Sequence, residues 1–164
     1  MKREIIITDD GSTTIHIPDW NEQYHSKHGA IQEAYHVFIN AGLEYFLRQL
    51  QPKPLKILEI GFGTGLNAFI TLLEADKNKI PINFTGVEAY PISSSEIEKL
   101  NYPLQLNSPD EYFKKLHQGK WEQHISVSGH FSILKRKQFF SEINDKNNFH
   151  LIYFDAFGAR VQPE

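Results

Sequence analysis

Leu55-Lys56-Ile57-Leu58-Glu59-Ile60-Gly61-Phe62-Gly63-Thr64-Gly65-Leu66-Asn67 decides how this chain is read. A short, mostly apolar run that stops at glycines reads as a buried strand, and residues 66–75, apolar at helical spacing, read as the helix that follows. Between them Glu59 to Gly65 spells E-x-G-x-G-x-G, in which glycines permit a tight turn and let backbone approach a ligand closely. A nucleotide-type cofactor is implied. The dinucleotide fingerprint G-x-G-x-x-G begun at Gly61 requires glycine or alanine at 66, where this chain has Leu66, so a pyrophosphate reader is disfavoured. The spacing favours S-adenosylmethionine, a phosphate-free cofactor with an amino-acid end, an adenosine and a sulfonium. Glu59 would serve its ammonium or fix the loop. Glu88 closes the next strand 23 residues after Gly65, near the spacing at which an acidic side chain accepts hydrogen bonds from ribose hydroxyls.

Outward from this motif, strands and helices alternate. Upstream, Ile31, Ala34, Tyr35, Phe38, Gly42, Phe46 and Leu50 recur every three or four residues, which predicts an amphipathic helix ending before Pro52 and Pro54. Ile5-Ile6-Ile7 and Thr13-Thr14-Ile15-His16-Ile17 flank Asp9-Asp10-Gly11-Ser12, where Asp-Gly supplies the positive φ of a tight turn. Residues 1–20 therefore read as an N-terminal β-hairpin extension. Downstream, 81–88, 131–135 and 150–155 read as strands, and 93–100 and 110–117 as helices. The expected architecture over residues 21–164 is α/β and Rossmann-like, with a mainly parallel sheet, helices on both faces and ligands at the carboxyl ends of the strands. After Asp155 the sequence stops at Phe157-Gly158-Ala159-Arg160-Val161-Gln162-Pro163-Glu164, with no later strand to cover the sheet, so the C-terminal part of such a domain is expected to be missing.

The composition excludes several classes. With 164 residues, 40% hydrophobic and 13% aromatic, the chain has material for one core and is too rich in large side chains to be disordered. The absence of Cys removes disulfide scaffolds, thiolate zinc sites and cysteine nucleophiles. Net charge −3 gives no global positive field, so an RNA partner would need a local patch, for which Lys135-Arg136-Lys137 and the scattered Lys114, Lys115 and Lys120 are the candidates. A solvated face explains them equally well. His25-x-x-His28 has no matching second half, so no metal is expected and solvated histidines are the better reading. No apolar stretch reaches the ~20 residues of a membrane span, and the run after Lys2-Arg3 is too short for a signal peptide, so a cytoplasmic location is expected.

Glu59 to Asn67, read as E-I-G-F-G-T-G-L-N, with Gly86-Val87-Glu88-Ala89-Tyr90-Pro91, Phe154-Asp155-Ala156-Phe157 and Gln162-Pro163-Glu164, resembles the methyltransferase domain of the MnmC family, whose stand-alone form is called MnmD. Gly29-Ala30-Ile31-Gln32-Glu33 and His36-Val37-Phe38 extend the resemblance over roughly residues 20–164. It implies a class I methyltransferase fold and transfer of a methyl group from S-adenosylmethionine to the amine of 5-aminomethyl-(2-thio)uridine at the tRNA wobble position. It also implies tRNA, through its anticodon loop, as a partner, and an oxidoreductase that supplies the aminomethyl substrate; that half of the bifunctional enzyme has no counterpart in this sequence. The family's Gly-Asp after the third strand is replaced here by Leu134-Lys135-Arg136-Lys137-Gln138, which leaves the adenine contact unassigned.

Methyl transfer to an amine needs the amine neutral and held at near-attack distance. If it titrated like lysine, neutrality at pH 7 would cost about 4 kcal/mol at ~1.36 per pKa unit, which a nearby carboxylate offsets in part. Asp155, at the ligand edge of the last strand, is the candidate to bind the amine or take its proton; the competing role is to cap the next turn or orient the cofactor. Phe157 would stack on the uracil ring or simply pack. Glu33 would reach the pocket from the first helix or stay exposed. Tyr24, His25 and Ser26 would contact cofactor or substrate or, as an irregular polar segment mostly does, lie on the surface. The candidate sets are thus Asp155, Phe157 and Glu33 for catalysis, and Glu59, Gly61, Phe62, Gly63, Gly65, Asn67 and Glu88 for the cofactor. The alternatives are an aminopropyltransferase or methyltransferase for another amine, and a non-catalytic cofactor-binding domain.

Overall fold

The structure, a computed structural model, describes residues 2–157. The tail from Gly158, with the Gln162-Pro163-Glu164 part of the resemblance, lies outside the described residues.

Strands β1 (Glu4–Ile7) and β2 (Thr13–Ile17) form the predicted antiparallel hairpin, with Ile5 opposite Ile15. A third strand, β3 (Glu22–Gln23), pairs with β2 and carries this small sheet past the hairpin. Its two residues are too few to show a period in the sequence. Helix α1 (Ala30–Ala34) follows, then a π-helical segment, Tyr35–Glu44, and α2 (Tyr45–Gln49), together running over the stretch predicted as one amphipathic helix. The π segment buries Phe38, Ile39 and Leu43, and Phe38 and Gly42 pack on the ring of Tyr153. Three- and four-residue spacing does not separate a π turn from an α turn, so this widening was invisible in the pattern.

The first turn of α1 is capped from a distance. Its N-cap residue, Gly29, has no side chain to offer, and the hairpin turn supplies three acceptors instead. Ala30 N–H donates to Thr8 Oγ1 (3.2 Å), Ile31 N–H to Ser12 Oγ (3.3 Å) and Gln32 N–H to Asp10 Oδ2 (3.0 Å). These satisfy donors that a helix start leaves orphaned, a contribution of typically ~1 kcal/mol per cap.

The main sheet is built from β4 (Leu55–Ile60), β5 (Ile82–Val87), β6 (His124–Ser126), β7 (Phe131–Arg136) and β8 (Leu151–Phe154), in the order β6-β7-β5-β4-β8. All neighbours are parallel except the short β6, which runs against β7. Between strands lie α3 (Leu66–Asn78), α4 (Ser94–Ile97), α5 (Tyr102–Gln105) and α6 (Asp110–Gln118). α4 starts with a capping box between Ser93 and Glu96. The predicted 93–100 helix is shorter than expected, and α5 was not foreseen.

α3 packs on the β5 and β7 strands, with α1, the π segment and α6 against it. The side chains they cover are the alternate ones, Leu55, Ile57 and Glu59 on β4, Ile82 and Phe84 on β5, Phe131, Ile133 and Lys135 on β7. Phe84 meets Phe131 and Tyr153 at 5.6 and 6.0 Å between ring centres, and Phe69 meets Phe113 at 5.2 Å. Such pairs contribute ~0.5–1.5 kcal/mol each beyond the area they bury. Two polar residues, Glu59 and Lys135, stand in this apolar pattern. The chain leaves β4 towards β5 on one side and returns to β8 on the other, which makes the carboxyl end of β4 the switch point where open α/β sheets bind ligands.

Candidate active site

The glycine loop opens at that switch point. Gly61 N–H and Phe62 N–H both donate to Val87 O at 3.0 Å, which ties the loop to the end of β5, and Asp155 N–H donates to Ile60 O at 2.8 Å, which ties the chain beyond β8 to the end of β4. Gly61 takes φ +91°, and a Cβ there would stand 2.6 Å from the carbonyl oxygen of Asp155. Only glycine fits both requirements. Gly65 caps α3 in the left-handed region and does not line the cavity.

Above the loop is a cavity of about 230 Å³. Gly61, Phe62, Gly63, Asn67, Glu88, Asp155 and Phe157 from the sequence-derived set all line it. Glu88 accepts N–H bonds from Gly63 (2.9 Å) and Tyr90 (2.9 Å), one on each carboxylate oxygen, so the acid grips both the glycine loop and the loop after β5. A carboxylate has about four acceptor positions, leaving two for a ligand.

Below, the Asn67 amide spans two acids. Its Nδ2 donates to Glu59 Oε1 (2.9 Å) and to Asp155 Oδ2 (2.8 Å). Glu59 is fully buried, and burial followed by the Asp155 charge pushes its pKa well above the ordinary carboxylate range. Asp155, half-buried, is pushed up to about 7, first by burial and then by the charge of Glu33. Glu33 thus acts on the site without lining its cavity. Its Oε2 accepts the Ser26 N–H at 2.6 Å, and its outer side borders a shallow surface depression with His28, His36 and Asn40. Phe157 stands edge-on to Tyr24 (5.2 Å) and Trp20 (5.9 Å), an aromatic corner on the cavity wall.

Several lining residues were missed or misread. The Tyr24 to Ser26 segment divides between its two readings: Tyr24 lines the cavity, Ser26 borders the surface depression, and His25 is buried with its Nδ1 at 2.9 Å from Thr14 Oγ1. His25 is therefore not a solvated histidine; burial lowers its pKa to about 4 and keeps it neutral. His28 is exposed. The enclosure comes from the N-terminal sheet, a contact distant in sequence. Arg3 also reaches the cavity and donates from Nη2 to Tyr90 O (2.7 Å). Tyr90 lines the cavity as well and meets Phe139 edge-on at 5.9 Å, at the carboxyl ends of β5 and β7.

The basic cluster is a further correction. Lys135 is 2% exposed, donates from Nζ to His117 O (2.8 Å) and lies over the Trp121 ring, while burial lowers its pKa to about 8. Arg136 is ion-paired with Asp145 at 2.6 Å. Neither is free to meet phosphates. The alternation Phe131-x-Ile133-x-Lys135 was the signal that pointed Lys135 inward. Among the described residues there is no group of three or more side chains suited to a metal ion, and no helix is long and apolar enough to cross a membrane.

A glycine loop and an acid at the end of the second core strand, set at a sheet switch point, define a Rossmann-like α/β domain. Comparison with known proteins narrows the class. The chain is 28% identical over 160 residues to the tRNA 5-methylaminomethyl-2-thiouridine biosynthesis bifunctional protein MnmC of Leptospira borgpetersenii, covering 88% of this chain and 24% of that protein. To the protein of the same name from Burkholderia multivorans it is 36% identical over 103 residues, 61% of this chain and 15% of that one. The crystal structure of MNMC2 from Aquifex aeolicus superposes with a TM-score of 0.74 at 23% identity, covering 96% of this chain and 50% of that chain. No family model matches. These findings bear out the resemblance to the MnmC methyltransferase family and the expected fold. The chain spans about a quarter of the length of the Leptospira relative.

Proposed function

We propose that the chain transfers a methyl group from S-adenosylmethionine to the amine of 5-aminomethyl-(2-thio)uridine at the tRNA wobble position. The observation that carries this reading is one cavity bounded by two carboxylates, Glu88 and Asp155, on either side of the glycine loop. That pair of acceptors suits a phosphate-free, cationic cofactor with ribose hydroxyls and repels a pyrophosphate. Glu88 would hold the ribose, with Gly61, Phe62 and Gly63 as backbone floor, and Tyr90 with Phe139 would receive the adenine in place of the missing Gly-Asp. Glu59 and Asn67 support the floor from below. When bound, the cofactor supplies an electrophilic methyl on sulfur.

The chain's own residues would do the rest. Asp155, with a pKa near 7, is in part ionised at neutral pH and accepts the proton of the substrate amine, a contribution of about 10²–10⁴ for a positioned base. Phe157, braced by Trp20 and Tyr24, offers a ring for the extruded uracil. Glu33 tunes Asp155 through its charge. The name of the Leptospira and Burkholderia relatives concerns 5-methylaminomethyl-2-thiouridine of tRNA, the nucleoside such a transfer would form, which supports tRNA as substrate. With Lys135 and Arg136 engaged inside the protein, tRNA affinity rests on fewer phosphate contacts and is modest and salt-sensitive.

The test is nucleoside mass spectrometry of tRNA bearing 5-aminomethyl-2-thiouridine after incubation with the chain and S-adenosylmethionine. One added methyl on that nucleoside is expected. Cofactor binding without any methylated nucleoside would overturn the substrate assignment.

A further inference from the structure

Among the described residues Glu59 is the one buried acid that the proposed reaction does not use, and its surroundings contain an unpaired complement. Its Oε1 already takes an N–H from Asn67, while its Oε2 and the Asn67 Oδ1 are both buried and both without a partner. Both atoms are acceptors if Glu59 is ionised, so the pair would keep one hydrogen bond and bury two acceptors with no donor for either. A proton on Oε2 supplies a donor and opens the two-point pairing of a carboxylic acid with a primary amide. The remaining Asn67 N–H is fixed on Asp155, so the amide cannot turn over to relieve the mismatch without losing that bond.

We propose that Glu59 is held as a neutral carboxylic acid paired with Asn67, and that this pair is a positioning device which aims the Asn67 N–H at Asp155 and leaves Asp155 and Glu88 as the anions of the cavity. The charges facing Glu59 agree. Asp155 beyond β8 and Glu88 beyond β5 are both acids, and the Tyr153 hydroxyl on β8 is the other titratable group acting with it. From α1, Glu33 adds negative charge at Asp155. A second anion under the floor would repel these at every turn. Burying an unpaired carboxylate costs far more than burying the acid.

The role in positioning rests on the cofactor reading above, but the proton does not, and the first test is on the protein alone. Folding then takes up one proton at Glu59, so its contribution to stability falls as pH rises above 4.5, the ordinary glutamate value, for as long as Glu59 stays neutral. Glu59→Gln, a neutral isostere, lacks that uptake. In urea unfolding between pH 5 and 7, the ratio of the folding constant of Glu59→Gln to that of the unmutated chain is expected to grow about tenfold per pH unit. A flat ratio overturns the proposal. Should the variant not fold, infrared spectra decide: a carboxylic-acid carbonyl band at pH 7 that shifts in deuterium oxide and remains in Asp155→Asn, where the half-protonated Asp155 no longer contributes, is expected, and its absence refutes the neutral acid. In the positioning role, Glu59→Gln keeps S-adenosylmethionine affinity within about threefold, whereas a loss of thirtyfold or more would mark Glu59 as an ionised partner of the ligand's ammonium.

Discussion

Replacing Gly61 by alanine tests the close approach on which the site is built. At φ +91° an L side chain pays about 1–2 kcal/mol in backbone strain. The added Cβ would also stand 2.6, 2.7 and 2.9 Å from the Asp155 O, the Asp155 C and the Ala156 N. These are backbone atoms with no rotamer to change. Ordinary contact begins at 3.4 Å, so the loop and the chain beyond β8 must part by about 0.8 Å, the difference between 2.6 and 3.4 Å. That movement stretches the Asp155 N–H to Ile60 O bond and carries the Asp155 carboxylate away from Asn67. Strain and lost bonding together are expected to lower stability by about 2–4 kcal/mol, read by urea unfolding. A displacement near 1 Å is also expected to lower methyl transfer by about 10²-fold, read on tRNA under saturating cofactor. Gly129→Ala, where the Cβ would meet nothing within 4 Å, is the control and is expected to stay within about 0.5 kcal/mol. A Gly61→Ala protein with unmutated stability and rate would refute the argument.

Asp155→Asn is expected to lower turnover by about 10²–10⁴ with cofactor affinity within about threefold, and an unchanged rate removes Asp155 from the reaction. The unmutated rate should rise with pH through about 7 as the Asp155 carboxyl loses its proton, and the variant should lose that limb; a profile flat from 6 to 8 in both contradicts the role. His25, whose folded pKa of about 4 lies below its ordinary 6.5, should withdraw stability as pH falls from 6.5 towards 4, by up to ~1.36 kcal/mol per unit, because the unfolded chain takes the proton first. A His25→Gln chain should show a correspondingly shallower acid loss in urea titrations, and an identical slope would place His25 in contact with water. Lys135→Met is expected to leave tRNA affinity and its salt dependence unchanged, and a salt slope reduced by about one would return Lys135 to the phosphate-binding surface.

The glycine loop, Glu88 and the strand–helix alternation were legible because each is a local matter. Turn conformation and apolar period are written within a few residues, and the register of the parallel strands follows. What escaped was set by partners far away in the chain. Tyr24 and His25 carry no period, and their burial depends on Ile15 and Thr14 across the small sheet. Lys135 looked like surface because a run of three cations usually is, although the alternate pattern of β7 turns its ammonium onto the His117 carbonyl. Arg3, next to the start of the chain, had no visible reason to reach the loop after β5. Asp155 could be placed at a ligand edge, but the amide joining it to Glu59 required knowing that the helix start at Asn67 faces both strand ends.

The N-terminal sheet caps the first helix through Thr8, Asp10 and Ser12, and it reaches the Glu88 loop through Arg3. Opening of that sheet and occupation of the cavity are therefore thermodynamically linked. Any ligand gripped by Glu88 and Tyr90 draws free energy into the order of that sheet, and it slows the sheet's amide exchange in proportion to its concentration over its Kd. Conversely, removing the Thr8, Asp10 and Ser12 side chains would weaken binding through a frayed helix start although every cavity residue stays in the sequence. Affinity for the cofactor is in this sense a property of the whole roof, held in place by three small side chains in one tight turn.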